Sequence, residues 1–284
     1  MQRPPDPLPS LDAGALDFER VGPLRRALKR VLIHPFGNYF PASVLRGVLR
    51  LAGSELARDS WADPGGWRSM ALSYADRRPR LVDRLLCTLG TMPMALRNRR
   101  RLATRVLARL IDASPSDPVH VLCLGAGPGH VINDAMRAAS REILATLVDT
   151  NEEACAYGEG VAEASGQGHR MRFIRGDARE VRDLLDRPPD LVTMLGLCEY
   201  LTDTQVTDIG RAVAGAMPPG AAIVTNSLSD AHGTDRFFRR VFGLDMIHRS
   251  PRAVADLLAP AGFADVASVA EPLGVYHVLV GRRA

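Results

Sequence analysis

Lysine is nearly absent from this chain of 284 residues: Lys29 is the single one, and arginine supplies every other basic side chain apart from histidine. High-GC coding, which favours Arg, Ala and Gly, accounts for that bias without special phosphate chemistry. Charge of one sign is scarce as well. A net charge of +4 over this length does not demand a nucleic-acid partner. Long hydrophobic runs are missing. Nothing approaches the ~20 consecutive apolar residues of a membrane span, and no charged-then-apolar leader opens the chain. The expectation is a cytoplasmic protein with no membrane partner. Cysteine is sparse: Cys87, Cys123, Cys155 and Cys198 are scattered without the spacing of a metal or redox site. Free thiols and no metal centre follow from that. No internal repeat is visible.

What remains is enough for one large α/β domain with an appendage, since 46% hydrophobic residues can fill a full core. Residues 1–15 carry Pro4, Pro5, Pro7 and Pro9 and read as a disordered tail. Residues 16–113 read as a helical cap that serves as substrate domain. Leu24, Leu28, Val31 and Leu32, then Val44, Leu45, Val48 and Leu49, and later Leu102, Val106, Leu107 and Leu110, recur at helical spacing. Pro35 and Pro41 bracket a turn, and Asp63-Pro64-Gly65-Gly66 marks another. From residue 114 to 284 strands and helices alternate, the pattern of a doubly wound, mostly parallel sheet.

The most informative stretch is 119–129, Val-His-Val-Leu-Cys-Leu-Gly-Ala-Gly-Pro-Gly. An apolar run breaks into Gly125, Gly127 and Gly129, and a helical pattern follows from His130. Strand, glycine turn, helix opens a nucleotide-binding βαβ unit. Glycines let the backbone turn tightly and approach a ligand with no Cβ in the way. A dinucleotide fingerprint would place its third glycine at position 130; here it stands one residue earlier. That shift favours an adenosyl ligand without a pyrophosphate. A second apolar strand, 143–148, runs into Asp149, where a carboxylate can accept from both ribose hydroxyls. A third, 171–174, runs into Gly176-Asp177-Ala178, and a fourth, 191–195, into Gly196-Leu197-Cys198-Glu199-Tyr200. A fifth is expected at 222–225, a capped helix at 250–262, and two closing strands near 266–269 and 276–280 that would pair antiparallel.

These four elements in order resemble the class I S-adenosylmethionine (SAM)-dependent methyltransferases over residues 119–282, more than half the chain. The helical block, through Gly65-Gly66-Trp67-Arg68-Ser69-Met70 and Ala95-Leu96-Arg97-Asn98-Arg99, is similar to a poorly characterised bacterial group of such enzymes. The resemblance implies a seven-stranded Rossmann-like sheet with an N-terminal helical cap. It implies SAM as cofactor, with S-adenosylhomocysteine (SAH) as product, and cofactor contacts from Gly125, Ala126, Gly127, Gly129, Asp149, Asp177, Ala178, Gly196 and Leu197. Asp177 would accept from the adenine amino group. One departure stands out: the family often has an acid two residues before the first glycine, and here Cys123 occupies that place.

Acceptor chemistry is less legible. Trp67, Met70 and Tyr74 share one helix face and are candidate walls of the site, Tyr74 toward the cofactor and Trp67 toward substrate. In the basic run Arg97 to Arg101, Arg97 is the candidate partner of the cofactor's carboxylate. The link 226–249 supplies Phe238 as a substrate contact and His232 as a general base, and Tyr200 is a candidate to position the acceptor. Four functions stay open. The first is direct in-line methyl transfer to a small-molecule acceptor, of the kind found in natural-product pathways. The second keeps the fold but performs an intramolecular displacement of a sulfonium intermediate, such as cyclopropane formation. The third is RNA or protein methylation, and the fourth a non-catalytic SAM-binding subunit. A homodimer is open under each.

Overall fold

A computed structural model describes residues 16–75, 78 and 80–284 of the chain. The expected tail at 1–15 lies outside the described residues. Seven strands form one sheet: β1 Val119–Leu124, β2 Ile143–Asp149, β3 Met171–Arg175, β4 Leu191–Met194, β5 Ala222–Leu228, β6 Phe263–Ala270 and β7 Tyr276–Arg283. Their order is β3-β2-β1-β4-β5-β7-β6. The first five are parallel, and β7 runs antiparallel between β5 and β6. The doubly wound expectation is met. The order reverses direction at β1 and β4, whose carboxyl ends diverge to leave the crevice that such sheets use for ligands.

Both faces of the sheet are covered, so β1 is buried along its whole length and every second residue serves a different layer. Val119, Val121 and Cys123 pack on one side, while Leu122 and Leu124 pack on the other. The cap contributes α1 Pro23–Leu28, α2 His34–Tyr39, α3 Ala42–Leu51, α4 Glu55–Ala62, α5 Trp67–Tyr74, α6 Leu81–Leu89 and α7 Thr91–Asp112. The last of these reaches well beyond the cap. Leu102, Val106, Leu107 and Ile111 of α7 are buried in one core with β1, β5 and β7, so helical block and sheet share it across residue 113. On that face α7 is joined by α8 His130–Ala138 and α9 Glu152–Ala164; the opposite face is covered by α10 Asp203–Ala216 and, beyond the link that follows β5, by the helix Pro251–Leu258.

Local chemistry sets several boundaries. Asn151 caps α9 by accepting from the Ala154 N–H, Thr202 and Gln205 form a reciprocal capping box on α10, and Ser250 caps the helix at Pro251. The fifth strand runs longer than its apolar run suggests. Asn226, Ser227 and Leu228 belong to β5, paired with Val278, His277 and Tyr276. The link therefore begins at 229 and not at 226, because ladder partners on β7 satisfy a backbone whose side chains are polar. Among the described residues no helix is long and apolar enough to cross a membrane.

Candidate active site

At the carboxyl ends of β1, β2 and β4 lies a cavity of about 510 Å³, roofed by α5 from the cap. Of the residues nominated from sequence, Gly125, Ala126, Gly127, Gly129, Asp149, Asp177, Ala178, Gly196, Leu197, Trp67, Tyr74 and Tyr200 line it. Arg97, His232 and Phe238 do not.

The glycine loop does two different jobs. Gly127 has φ +50°, a left-handed conformation, and a Cβ built there would meet no atom closer than Trp67 Cβ at 3.7 Å. It would project into open cavity. Gly129, the N-cap of α8, has φ +71°, and a Cβ there would lie 2.4 Å from Leu147 Cδ2. That glycine is needed for close packing of helix on sheet. The Gly127 N–H donates to Asp149 Oδ2 at 2.7 Å, and the Asn151 N–H donates to Oδ1 at 2.9 Å. The carboxylate at the tip of β2 is thus fixed by two backbone donors, with lone pairs to spare for a ligand. Asp177, by contrast, is engaged by Arg179. The ion pair and the Arg179 N–H at 2.8 Å pull its carboxyl down to about 2.

The buried charge of the site is Arg99, which the sequence reading passed over. Its guanidinium lines the cavity beside Gly196 and is 4% exposed. Nη1 donates to Glu199 Oε1 at 3.2 Å and to Asn226 Oδ1 at 3.4 Å, while Nη2 donates to the Tyr74 hydroxyl at 3.3 Å. The group also stacks over the Tyr276 ring at 4.6 Å. Asn226 closes the network, donating to Glu199 Oε2 at 3.2 Å and accepting from the Gly196 N–H at 2.6 Å. The assignment of Arg97 to the cofactor carboxylate is therefore corrected. Arg97 turns away to Glu19, at 2.5 and 2.6 Å, and also donates to the carbonyls of Ser73 and Cys87. Two positions along a helix are about 200° apart around its axis, so Arg97 and Arg99 cannot serve the same site.

Cys123, where the family often has an acid, lines the cavity as a neutral thiol, pushed up to about 12 by burial. His130, at the start of α8, lines it as a neutral imidazole, since burial and then Arg100 bring it down to about 4. Trp67 stands over the glycine loop, 4.9 Å from the Tyr157 ring, and its buried indole N–H has no hydrogen-bond partner. An unpartnered buried donor on a cavity wall is what a bound polar ligand would satisfy. Tyr200 has its hydroxyl pressed against Gly65, where even a Cβ would come within 2.7 Å of it. Burial of that hydroxyl raises the phenol, so it stays protonated.

His232 is fully buried away from the cavity, a second correction. Its Nδ1 accepts from the Thr234 N–H at 3.1 Å, and its Nε2 faces His248 Nε2 at 3.3 Å. Burial, then the neighbouring His248, lowers it to about 4. The ring packs edge-on to Phe238, 6.0 Å away, and Phe238 lines a neighbouring recess rather than the main cavity. A histidine held neutral in the fold takes up fewer protons than the unfolded chain between about pH 6.5 and 4. Stability is therefore complete above that window and falls as pH drops through it, by about 3 kcal/mol at the lower end for this one ring. His232→Asn should flatten the fall of the thermal midpoint between pH 6.5 and 4 while changing turnover less than about tenfold. A larger loss of turnover, with a shifted pH–rate profile, would return His232 to the chemistry.

The cavity's residues fit the adenosyl ligand expected from sequence: an open face at Gly127, a pinned carboxylate at Asp149, and a buried cation at Arg99. Comparison with known proteins agrees. Residues 121–220 match the family model described as a methyltransferase domain. No curated protein sequence matches the chain significantly. Among solved structures, a possible exported protein from Bordetella parapertussis superposes with a TM-score of 0.70 at 21% identity, covering 82% of this chain and 84% of that one. Magnesium protoporphyrin IX methyltransferase from Synechocystis PCC 6803, with SAH bound, gives 0.58 at 14% identity, covering 84% and 99%. The pyocyanin biosynthetic protein PhzM gives 0.56 at 17% identity, covering 88% and 71%. At such identities the likeness is one of fold. The chain thus carries a methyltransferase domain over residues 121–220, set in a seven-stranded sheet whose last-but-one position is held by an antiparallel strand.

Proposed function

We propose that the protein transfers the methyl group of SAM directly, in line, to a small-molecule acceptor. The observation that carries this reading is a second, apolar recess of about 70 Å³ that adjoins the main cavity. The two share Gly65, Met70 and Tyr200, and the recess is otherwise walled by side chains such as Leu96, Phe238 and Met246. A folded macromolecule does not fit such a space; part of a small apolar molecule does. The basic run on α7 supports the same reading. Arg97 and Arg101 share Glu19, Arg99 pairs with Glu199, and Arg100 with Asp134, so each of these four cations is engaged by a carboxylate within the protein instead of forming a free strip for RNA.

In this scheme Asp149 accepts from the ribose hydroxyls, Asp177 and Ala178 flank the adenine, and Arg99 faces the methionyl carboxylate. When bound, SAM supplies a methyl already made electrophilic by its sulfonium. The protein's share is to hold the acceptor in line and keep water out. Tyr200, at the junction of cavity and recess, is placed to orient the acceptor through a hydroxyl that remains protonated. Neither His130, lowered to about 4, nor the buried His232 is suited to hold a proton near neutral pH. Alignment, which can supply about 7–11 kcal/mol in favourable cases, then carries the catalysis.

The reading is tested with SAM labelled in its methyl group, incubated with protein and fractionated cell extract. Label should collect in the organic-extractable small molecules; label confined to RNA or protein would overturn it. A second expectation concerns the cofactor alone. Asp149→Ala should weaken SAH binding by about 1.5–3 kcal/mol, because a charge-assisted acceptor is lost and the Gly127 N–H is released with it. Calorimetric titration checks this, and wild-type affinity in the variant would mean that β2 does not present its carboxylate to the ligand.

A further inference from the structure

The apolar lining does not stop at the recess. Leu56, Met92, Pro93, Phe238 and Phe242 wall both the recess and a further cavity of about 340 Å³ inside the cap. That cavity is lined mostly by aliphatic and aromatic side chains, from α2, α3 and α6 together with the start of α7 and the link after β5. Phe36, Val48, Leu85 and Leu89 line it and are also exposed, so it opens at the cap surface. The three spaces adjoin in series, each sharing lining residues with the next, and so mark out a route from the surface of the cap to the cofactor cavity.

One cation faces this path. Lys29, the single lysine of the chain, lines the cap cavity and is 4% exposed. Its ammonium donates to Thr91 Oγ1 at 3.1 Å, and among the described residues it has no carboxylate partner. Burial, with Arg25 nearby, brings it down to about 8. An ammonium withdrawn from water without a counter-charge is destabilising unless something arrives to pair with it. Neighbouring arginines on the cap reach carbonyls or solvent instead: Arg25 donates to the Thr88 carbonyl and Arg26 to that of Val21.

Building on the small-acceptor reading above, we propose that the acceptor is an elongated anionic amphiphile. Its apolar chain lies in the cap cavity, its carboxylate or phosphate pairs with Lys29, and its reactive end passes Phe238 toward Tyr200. The chain supplies affinity in proportion to the methylenes buried, up to about fourfold for each. The ion pair sets how far the chain can advance, and thereby which atom meets the methyl.

The test is titration of the full chain with octanoate, dodecanoate, dodecyl phosphate and dodecanol, with SAH titrated separately into each variant. Dodecanoate or dodecyl phosphate should bind well above octanoate, and the tighter of the two identifies the headgroup. Lys29→Gln should weaken both anions about tenfold or more and leave dodecanol within a few-fold. Val48→Trp, introduced at the exposed rim, should fill the cavity and weaken all of the C12 probes. Unchanged SAH affinity in both variants shows that they are folded. Absence of dodecanoate and dodecyl phosphate binding, or equal affinity in Val48→Trp, overturns the proposal. If wild-type protein binds dodecanoate but not SAH, the methyl-transfer reading fails while the chain site stands; the reverse result removes the chain site alone.

Discussion

Replacing Arg99 with methionine should lower the thermal midpoint by about 10 °C, a large loss of stability for a single side chain at the site. Arg99 and Glu199 are 4% and 3% exposed, and their contact at 3.2 Å is supported by Asn226, Tyr74 and Tyr276. Removing one member of a buried ion pair leaves an uncompensated charge and costs about 3–5 kcal/mol. At roughly 2–4 °C per kcal/mol for a domain approaching this size, the midpoint falls by about 6–20 °C. The double change Arg99→Met with Glu199→Leu separates the two roles of the arginine. It should recover much of the stability, since no buried charge remains, although Asn226 loses two partners and holds back part of the gain. SAH affinity should not recover with it if Arg99 also faces the cofactor carboxylate. Thermal unfolding followed by circular dichroism, paired with calorimetry, reads both. A single variant melting within about 2 °C of wild type would mean that the pair is not desolvated.

Arg99 also shows where the sequence was legible and where it was not. The strands could be read because parallel strands covered on both faces are apolar throughout and end at glycine or aspartate. The cavity floor follows from them, since each of those turns stands at a carboxyl end. The same local logic cut β5 short at Thr225, because Asn226 and Ser227 interrupt the apolar run, although both are buried strand residues. Arg99 carried a usable signal. It lies four residues after Ala95 and three before Leu102, on the buried stripe of its own helix, whereas Arg97 lies off that stripe. An arginine on an apolar face is the one to suspect of a special partner. His232 misled for the opposite reason: a histidine in a long link looks available for chemistry, and only the way the link folds on itself, packing Thr234, His248 and Phe238 around the ring, reveals it as sealed. The cap cavity had no local signature at all. Its walls come from segments some two hundred positions apart, such as Leu45 and Phe242, and each segment alone reads as an ordinary amphipathic helix.

Gly127→Val should weaken SAH binding about 100-fold or more while the protein stays folded, and the contrast with Gly129 is what makes the result interpretable. Both glycines have positive φ, so a side chain at either pays a conformational strain of roughly 1–2 kcal/mol. Their surroundings differ. At Gly127 the new Cβ finds only Trp67 Cβ at 3.7 Å, an ordinary contact, and the valine methyls would extend into the space reserved for the ligand. At Gly129 the Cβ would overlap Leu147 Cδ2 at 2.4 Å and crowd Met171 and Phe173, so Gly129→Val should unfold the helix–sheet contact irrespective of any ligand. The affinity loss at Gly127 has two sources. Steric overlap excludes the ligand from the floor of the cavity, and a shifted loop withdraws the Gly127 N–H that holds Asp149 Oδ2 at 2.7 Å. Gly127→Ala, with one carbon instead of three, should fall between wild type and valine. Calorimetry with SAH, alongside far-ultraviolet circular dichroism of all three variants, separates exclusion of ligand from damage to the fold. Wild-type affinity in a folded Gly127→Val protein would move the cofactor away from this loop and with it the placement of every residue assigned to the adenosyl group.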